Sequence, residues 1–292
     1  FSAGTYNFDN QSAMYMFASE TIDMTVSQTD NVFTITPGTT DISTQVTFTA
    51  TDSAGNSTSV SSDITFAAPA QTIARWVVVG AYLDDDNGSN SGSVYVYDAN
   101  NLSAQPTKLT AFDAAESDYF GYSVAATADK IVVGAINDDD NGSNSGAVYV
   151  YDANDISAQP TKLTAFDAAE SDYFSWTVTT TSDKIFVSTI HDDDNGSNSG
   201  AVYVYDANNL SAQPTKLTAF DGAEGDYFGV SVAATADKII VGASNDDDNA
   251  TNSGSVYVYD ANNLSAQPTK LTAFDGAAGD NVGVSVSATK EK

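Results

Sequence analysis

The stretch Phe120-Gly-Tyr-Ser-Val-Ala-Ala-Thr-Ala-Asp-Lys-Ile-Val-Val-Gly-Ala135, followed by Asp138-Asp-Asp-Asn-Gly-Ser-Asn-Ser-Gly-Ala-Val-Tyr-Val-Tyr151, decides the fold, because nearly the same sequence recurs along most of the chain. A triple aspartate marks each copy, and the copies follow at steps of 54 residues, beginning at Asp84, Asp138, Asp192 and Asp246. A repeat of this length is typical of stacked or radially arranged structural units.

Each repeat contains four predicted β-strands, in the second copy at residues 121–127, 130–135, 147–151 and 161–166. The middle strands carry apolar side chains on both faces, so we expect each sheet to be covered on both sides. The first strand carries small side chains, and the fourth carries a lysine that we expect to protect an exposed sheet edge. Sheets of four strands repeated around an axis form a β-propeller.

The two ends of the repeat region predict a closed ring. The first repeat begins at its second strand, at residues 75–81, whereas the chain ends with a first strand at residues 282–289. We therefore expect the C-terminal strand to complete the first blade and to close an all-β, four-bladed propeller over residues 75–292. In the alternative interpretation, the repeats belong to a longer array and the matching ends are a coincidence.

Residues 1–70 lack the repeat and alternate apolar and polar side chains in several short segments, a pattern typical of half-buried strands. The segment Thr49-Ala-Thr-Asp-Ser-Ala-Gly-Asn56 resembles the end of bacterial immunoglobulin-like surface modules. We therefore predict a small immunoglobulin-like β-sandwich with a hairpin turn at residues 52–56 and a linker at residues 67–72. The chain begins with Phe1, which we interpret as a processed chain or a piece of a longer one.

The composition is strongly acidic, with 39 acidic and 10 basic residues and a formal net charge of −29. This charge argues against nucleic acid and anionic membranes as partners, because both attract Lys and Arg. It favours cations, cationic partners or a saline environment. No apolar run approaches the length of a membrane span, so we expect no membrane insertion. The chain has no Cys, which excludes a disulfide scaffold.

Three motifs recur in order: Phe-Gly-x-Ser-Val-Ala, Val-Val-Gly-Ala and Gly-x-Val-Tyr-Val-Tyr. Over residues 75–292 they resemble the FG-GAP repeat, which builds the propeller of integrin α subunits and of many bacterial surface proteins. The resemblance implies an extracellular or cell-surface protein of adhesion or structure. We expect no enzymatic activity, because the acidic loops are repeated fourfold, whereas an active site normally needs one asymmetric pocket. The family often has seven blades. Its calcium loop between strands one and two is absent here, because that connection is only Ala128-Asp129.

More than half of the acidic residues fall in the loops between strands two and three and between strand four and the next strand one, which leave an antiparallel blade at the same side. Carboxylates and amide carbonyls suit Ca²⁺, so calcium is a possible cofactor. A solvated acidic turn is the alternative. The candidate metal ligands are Asp84, Asp85, Asp86, Asn87, Asp138, Asp139, Asp140, Asn141, Asp192, Asp193, Asp194, Asn195, Asp246, Asp247, Asp248 and Asn249.

In the resembled family, partners bind the face that these two loop classes form. The resemblance thus implies a protein or glycan partner, and the acidic charge favours a cationic one. The residues of this predicted face are Asp113, Glu116, Asp118, Asp167, Glu170, Asp172, Asp221, Glu224 and Asp226. No catalytic residue is predicted, since His191 has no identifiable orienting group for a triad. Trp176 as a stacking residue would favour a carbohydrate-binding module, although a packing role fits its repeat position better. The near-identical copies also fit a self-assembling subunit of a filament, surface layer or virion.

Overall fold

The structure is a computed structural model that describes residues 75–289 and, before them, the backbone of five strands. The chain divides into two compact units, Phe1–Ile73 and Ala74–Lys292. Within the described residues, no helix has the length and apolar character that crossing a membrane requires.

The described strands of the first unit are antiparallel. The segment β4 pairs with both β1 and β5, and β2 pairs with β3. The predicted immunoglobulin-like sandwich stays a prediction, and the predicted turn at 52–56 and linker at 67–72 lie outside the described residues. The strands are β1 (Ala13–Tyr15), β2 (Met24–Thr29), β3 (Val32–Pro37), β4 (Ile42–Thr51) and β5 (Ser57–Phe66).

The second unit contains four antiparallel sheets, which we call blades 1 to 4. Blade 1 has three strands and the others have four, in the sequence order predicted from the repeat. The strands of blades 1 and 2 are β6 (Trp76–Ala81), β7 (Ser93–Asp98), β8 (Thr107–Leu109), β9 (Phe120–Ala126), β10 (Lys130–Ala135), β11 (Ala147–Asp152) and β12 (Thr161–Leu163). Those of blades 3 and 4 are β13 (Val178–Thr180), β14 (Lys184–Thr189), β15 (Ala201–Asp206), β16 (Thr215–Leu217), β17 (Phe228–Ala234), β18 (Lys238–Ala243), β19 (Ser255–Asp260) and β20 (Thr269–Leu271).

The hydrophobic cores lie between adjacent blades, as the two-sided apolar pattern predicts. In β10, Ile131 and Val133 pack toward blade 1, and Val132 packs toward blade 3, and all three are fully buried. Each middle strand therefore contributes to two cores at once. Blades of this kind stabilise one another mainly through nearest-neighbour contacts.

Neighbouring blades approach so closely that glycine is required at the contact. Gly200, just before β15 of blade 3, has a φ of 82°, and a Cβ there would lie 2.2 Å from the backbone oxygen of Phe228 in blade 4. Gly146 repeats this geometry against Phe174, with a corresponding distance of 2.1 Å. Any side chain at these positions would push the two blades apart.

The outermost strands are shorter than the predicted 161–166, since β12 ends at Leu163. The next residue, Thr164, turns its carbonyl oxygen to accept a hydrogen bond of 3.0 Å from the Tyr205 hydroxyl of blade 3. The strand therefore ends at the point where its backbone carbonyl bonds to the neighbouring blade instead of to its own sheet.

The prediction that the C-terminal strand closes the ring is wrong in the described residues. Residues 282–289 form no strand with β6, and blade 1 keeps three strands. Instead, Val282 forms a bridge to Gly254 of blade 4, and the Ser231 hydroxyl donates a 2.7 Å hydrogen bond to the carbonyl oxygen of Gly283. Blade 2 holds Ser175 in the same way through Ser123, also at 2.7 Å. A first strand is thus anchored by the preceding blade, which keeps the C-terminal segment on blade 4.

Candidate functional site

Two loop classes lie side by side along one edge of the array, which we call the acidic edge. The loop between β6 and β7 contacts the connection between β8 and β9 through backbone hydrogen bonds, such as Ser117 N–H to Ser89 O at 2.8 Å. Equivalent bonds join the loops of the later blades, for example Ser171 N–H to Ser143 O at 2.8 Å. The triple aspartates and the turns that contain Glu116, Glu170 and Glu224 therefore share one edge.

At this edge, each blade surrounds one lysine ammonium with carboxylates. In blade 2, Lys162 Nζ lies 2.7 Å from Asp138 Oδ2 and 2.6 Å from Asp140 Oδ2, the first and third members of the triple aspartate. It also lies 2.8 Å from Asp113 Oδ2, which belongs to the segment that follows blade 1. We call this arrangement the lysine cluster of blade 2. Because one carboxylate comes from the preceding blade, each cluster ties two blades together.

The same cluster recurs in the next two blades. In blade 3 the distances from Lys216 Nζ to the three carboxylates are 2.8, 2.6 and 2.6 Å, and in blade 4 Lys270 replaces it. In blade 1, within the part of the chain that the structure describes, Lys108 pairs with just two carboxylates, both from its own triple aspartate. The members are Lys216, Asp167, Asp192 and Asp194 in blade 3; Lys270, Asp221, Asp246 and Asp248 in blade 4; and Lys108, Asp84 and Asp86 in blade 1.

A buried tyrosine completes each cluster from the strand beneath it. The hydroxyl of Tyr149 donates to Asp113 at 2.6 Å and to Asp138 at 3.0 Å. Although burial disfavours a charged lysine, the three carboxylates raise the pKa of Lys162 above its ordinary value, so it stays an ammonium. Burial, followed by the acceptor carboxylates, raises the pKa of Tyr149, so it stays a hydrogen-bond donor. The cluster is thus a charged and satisfied network.

The prediction that the fourth-strand lysine protects an exposed sheet edge is wrong. Lys162 and Lys216 are mostly buried, and their ammonium groups point into the clusters rather than toward solvent. The physical reason is the charge around them. Carboxylates that are close together and partly buried repel one another unless a cation lies between them, and the lysine ammonium is that cation.

The remaining predicted metal ligands lie elsewhere in the loop. The second aspartate accepts a backbone N–H five residues later, for example Asn144 N–H to Asp139 Oδ1 at 2.6 Å. The asparagine after each triple aspartate is exposed in blades 1 to 4, and in blade 3 Asn195 donates to the Ala219 carbonyl at 3.4 Å. The structure therefore brings the first and third aspartates together with one from the preceding blade, and it leaves the second aspartate and the asparagine to shape the loop.

The carboxylates of two clusters are arranged so that a metal ion could be held. Single ligand oxygens of Asp113, Asp138 and Asp140 all lie within 4.8 Å of one another, and the same holds for Asp167, Asp192 and Asp194. Three carboxylates are a donor set that suits a hard cation such as Ca²⁺. The lysine ammonium contacts these same oxygens, so an incoming metal ion would have to displace it.

A second set of aspartates is buried behind the clusters. Asp118, Asp172 and Asp226 each accept a backbone N–H three residues earlier, for example Ala169 N–H to Asp172 Oδ2 at 2.7 Å. Burial, opposed by this hydrogen bond and reinforced by the nearby Asp192, raises the pKa of Asp172 to about 6. The pKa values of Asp118 and Asp226 are also raised to about 6, again mainly by burial and further by a nearby aspartate, Asp138 and Asp246 respectively. These three belong to the predicted partner-binding face, but they lie beneath it.

Replacing Asp172 by asparagine is expected to stabilise the protein above pH 7, by about 1–3 kcal/mol on the scale of 1.36 kcal/mol per pKa unit. Because the pKa rises from 3.8 to about 6 on folding, the folded state binds the extra proton between these pH values, and stability falls as pH rises through them. Denaturant unfolding at pH 4 and pH 7.5 measures this. The exposed equivalent, Asp280→Asn, keeps the same backbone hydrogen bond and serves as the control. An equal gain at both pH values would contradict the assignment.

Two residues that stood out in the sequence have packing roles. Trp176 is half-buried, and its ring lies 5.7 Å from that of Tyr122 in blade 2. His191 lies between Tyr173 and Tyr227, at centroid distances of 5.0 and 5.8 Å, and burial lowers its pKa. No carboxylate in the described residues hydrogen-bonds to His191, so the geometry provides no orienting group for a triad.

Sequence reasoning missed the centre of the site, which is the fourth-strand lysine together with the aspartate of the preceding blade. A signal was present. Four of the 10 basic residues of this acidic chain recur at the 54-residue period, as Lys108, Lys162, Lys216 and Lys270. A cation that recurs in phase with an acidic loop indicates an ion pair.

Known proteins and protein families show what this chain is similar to. Among solved structures, the crystal structure of the WD40 domain of SCAP from fission yeast is similar, with a TM-score of 0.38 and 11% identity over 93% of this chain and 68% of that chain. No curated protein matches the chain. The FG-GAP repeat family matches residues 73–97, 104–151, 158–205 and 212–259, more than half of the chain. The resemblance noted in the sequence is thereby confirmed, and the chain belongs to the FG-GAP repeat family.

Proposed function

We propose that this protein is a non-enzymatic extracellular protein of adhesion or surface structure, whose acidic edge binds a cationic partner. The observation that carries the proposal is the charge left at the edge. One ammonium faces three carboxylates in each complete cluster, so every cluster remains negative. The exposed second aspartate of each blade, such as Asp139, and the three exposed glutamates Glu116, Glu170 and Glu224 add to this charge. Membership of the FG-GAP family supports an extracellular location.

The repetition of the edge also supports a role without catalysis. An active site is typically one asymmetric pocket with a perturbed acid or base. Here the acids with raised pKa values, Asp118, Asp172 and Asp226, occupy equivalent positions in three repeats, and each holds the backbone of a turn. A surface that repeats with the blade suits an extended or multivalent partner.

The test compares equal losses of charge on the two edges. Binding to immobilised poly-lysine is measured over a series of salt concentrations, because binding between opposite charges weakens as salt screens them. The acidic-edge triple variant is expected to bind several-fold more weakly than the wild type, and the opposite-edge variant to bind almost as well. Equal losses would show that only net charge matters and would overturn the proposal. The variants are Glu116→Gln with Glu170→Gln and Glu224→Gln, and, as control, Asp152→Asn with Asp206→Asn and Asp260→Asn.

Calcium binding at the lysine clusters is a further part of the proposal, supported by the spacing of the aspartates. Calcium that displaced the lysines would raise the melting temperature, because a ligand that binds only the folded state stabilises it. The measurement is thermal unfolding in Ca²⁺, in Mg²⁺ and in chelator at one ionic strength. A melting temperature that is the same in all three would remove calcium from the proposed function and leave lysine as the resident cation.

A second candidate function is carbohydrate binding. The rings of Tyr82, Tyr119, Tyr122 and Trp176 form a cluster with centroid distances of 5.5 to 5.7 Å. Tyr82 is 40% exposed, and the other three are half-buried. Aromatic faces of this kind can stack on sugar rings. A glycan array with Trp176→Ala as the control distinguishes this role, and an array without any glycan signal would exclude it.

A further inference from the structure

We propose that the two ends of the blade array bind each other between copies of this chain, head to tail. The leading end is the open face of blade 1, with β6, Tyr95 and Lys108. The trailing end is the open face of blade 4, with Phe274, Asp275 and residues 282–289. This inference goes beyond the proposed function, because it uses the ends of the array and a second copy as the partner.

The first observation is that all three internal interfaces use the same set of contacts. At the junction of blades 2 and 3, Asp167 accepts from Lys216 at 2.8 Å and from the Tyr203 hydroxyl at 2.5 Å. Phe166 packs edge-on against Tyr203, with 5.7 Å between ring centroids. The Tyr205 hydroxyl donates to Thr164 O. The preceding blade thus supplies an aspartate, a phenylalanine and a carbonyl oxygen, and the following blade supplies a lysine and two tyrosines.

The second observation is that each end of the array holds one unused half of this interface. Among the described residues, Lys108 of blade 1 pairs only with aspartates of its own blade, whereas the other three lysines also pair with an aspartate of the preceding blade. In blade 4, Phe274 is fully exposed, whereas Phe112, Phe166 and Phe220 each pack on the next blade. Among the described residues, Asp275 forms no ion pair. The two halves are complementary in charge and in shape, since the chain joins them three times internally.

The third observation is an unpaired strand edge at the leading end. Among the described strands, β6 pairs only with β7, whereas its equivalent β10 pairs with both β9 and β11. Val77 and Val79 of β6 are 41% and 46% exposed, because no described blade covers the face on which their equivalents Ile131 and Val133 pack against blade 1. An exposed edge with apolar side chains is a template for strand addition.

The trailing end carries the strand that this edge lacks. Residues 282–289 have the sequence of a first strand, and Val284 is 62% exposed. In blade 2, Val133 pairs with Val124. The same register in the 54-residue repeat places Val286 of one copy opposite Val79 of the next. The added strand would complete blade 1 as a four-stranded sheet.

The partner is a second copy rather than the same chain, because residues 282–289 form no strand with β6 of their own chain in the described residues. The Val282 bridge to Gly254 and the Ser231 hydrogen bond fix this segment at the end of the array opposite to β6. Joining unlike faces of identical copies is a heterologous contact, which continues from copy to copy. The net charge of −29 opposes association, so salt that screens this repulsion should favour it.

The test uses the absence of cysteine from the chain, which allows single cysteines to be placed without background. Val79→Cys and Val286→Cys proteins, one of them with a size tag, are mixed in high salt and oxidised. We expect a covalent heterodimer, and in the double variant a ladder of covalent oligomers. The control mixes Val286→Cys with Asn101→Cys, which lies on an exposed loop at the opposite edge. It should give no heterodimer above background.

Two outcomes would overturn the proposal. A double variant that forms only monomers with an internal disulfide would show ring closure within one chain, and a mixture that forms no heterodimer would show that the ends do not meet. Sedimentation of the unmodified chain provides a second measurement, because assembly should increase with concentration. Phe274→Ser should abolish that increase without affecting folding, since the side chain is fully exposed. Unchanged assembly of this variant would contradict the predicted interface.

Discussion

Replacing Lys216 by methionine is expected to lower the free energy of unfolding by about 3–5 kcal/mol, the usual range when one partner of a buried ion pair is removed. The ammonium faces three carboxylates, and the side chains of Lys216 and Asp192 are only 12% and 5% exposed. Methionine keeps most of the volume of lysine, so the loss of stability measures the removal of the charge rather than a change in packing. Without the lysine, the buried Asp192 would lose its cation and would repel the more exposed Asp167 and Asp194.

The matched control is Lys184→Met, which removes a lysine that pairs with Asp183 in a more exposed position. Such pairs contribute about 0–1 kcal/mol, so this change should be small. Denaturant unfolding of both variants measures the difference. Ca²⁺ should stabilise Lys216→Met more than the wild type, because the vacated carboxylates form a three-oxygen site. A loss below about 1 kcal/mol for Lys216→Met would show that the cluster is not the tie between blades 2 and 3.

Replacing Gly200 by alanine is expected to destabilise the protein by more than about 4 kcal/mol, which is exceptional for one methyl group. The new Cβ would lie 2.2 Å from the backbone oxygen of Phe228 and 2.8 Å from its nitrogen. Neither backbone atom can move without separating blade 3 from blade 4. Thermal or denaturant unfolding measures the effect, and loss of the soluble folded protein would be its extreme form.

Gly225→Ala is a closely matched control, because Gly225 has a φ of 83°, against 82° at Gly200. No atom lies within 4 Å of a Cβ at Gly225, so this change carries only the backbone strain, about 1–2 kcal/mol. The repeat itself shows that this position tolerates a side chain, since Ser117 and Ser171 occupy it with φ values of 69° and 67°. Similar losses for the two alanine variants would show that strain, and not blade contact, explains the glycines.

Much of the fold could be predicted because one repeat encodes one blade. The alternation of apolar residues on two faces placed β10 at Lys130–Ala135, and the structure confirms these bounds. The closure of the ring could not be predicted, because the phase of a repeat carries no information on the angle between blades. That angle decides whether residues 282–289 reach β6, and the anchor at Gly254 keeps them on blade 4.

The site was predicted less well than the fold. The acidic edge follows from the antiparallel order of the strands, which brings both loop classes to one side. The lysine clusters depend on side chains 49 residues apart, such as Asp113 and Lys162, which meet only because blades 1 and 2 pack together. Local patterns of sequence cannot show this contact. The alternation of the middle strands predicts that they are buried, but it does not indicate that the hydroxyl of the fully buried Tyr149 is part of the charged network.

The uniformity of the three internal interfaces also bears on how a chain of this kind can change in length. Each boundary is made by the same groups, so excising or duplicating one complete 54-residue unit would rejoin surfaces that already match. Recombination between the near-identical copies would remove or add whole units, and the new boundaries would use contacts that already exist. The number of units would then be free to drift, while the chemistry that links them stays fixed.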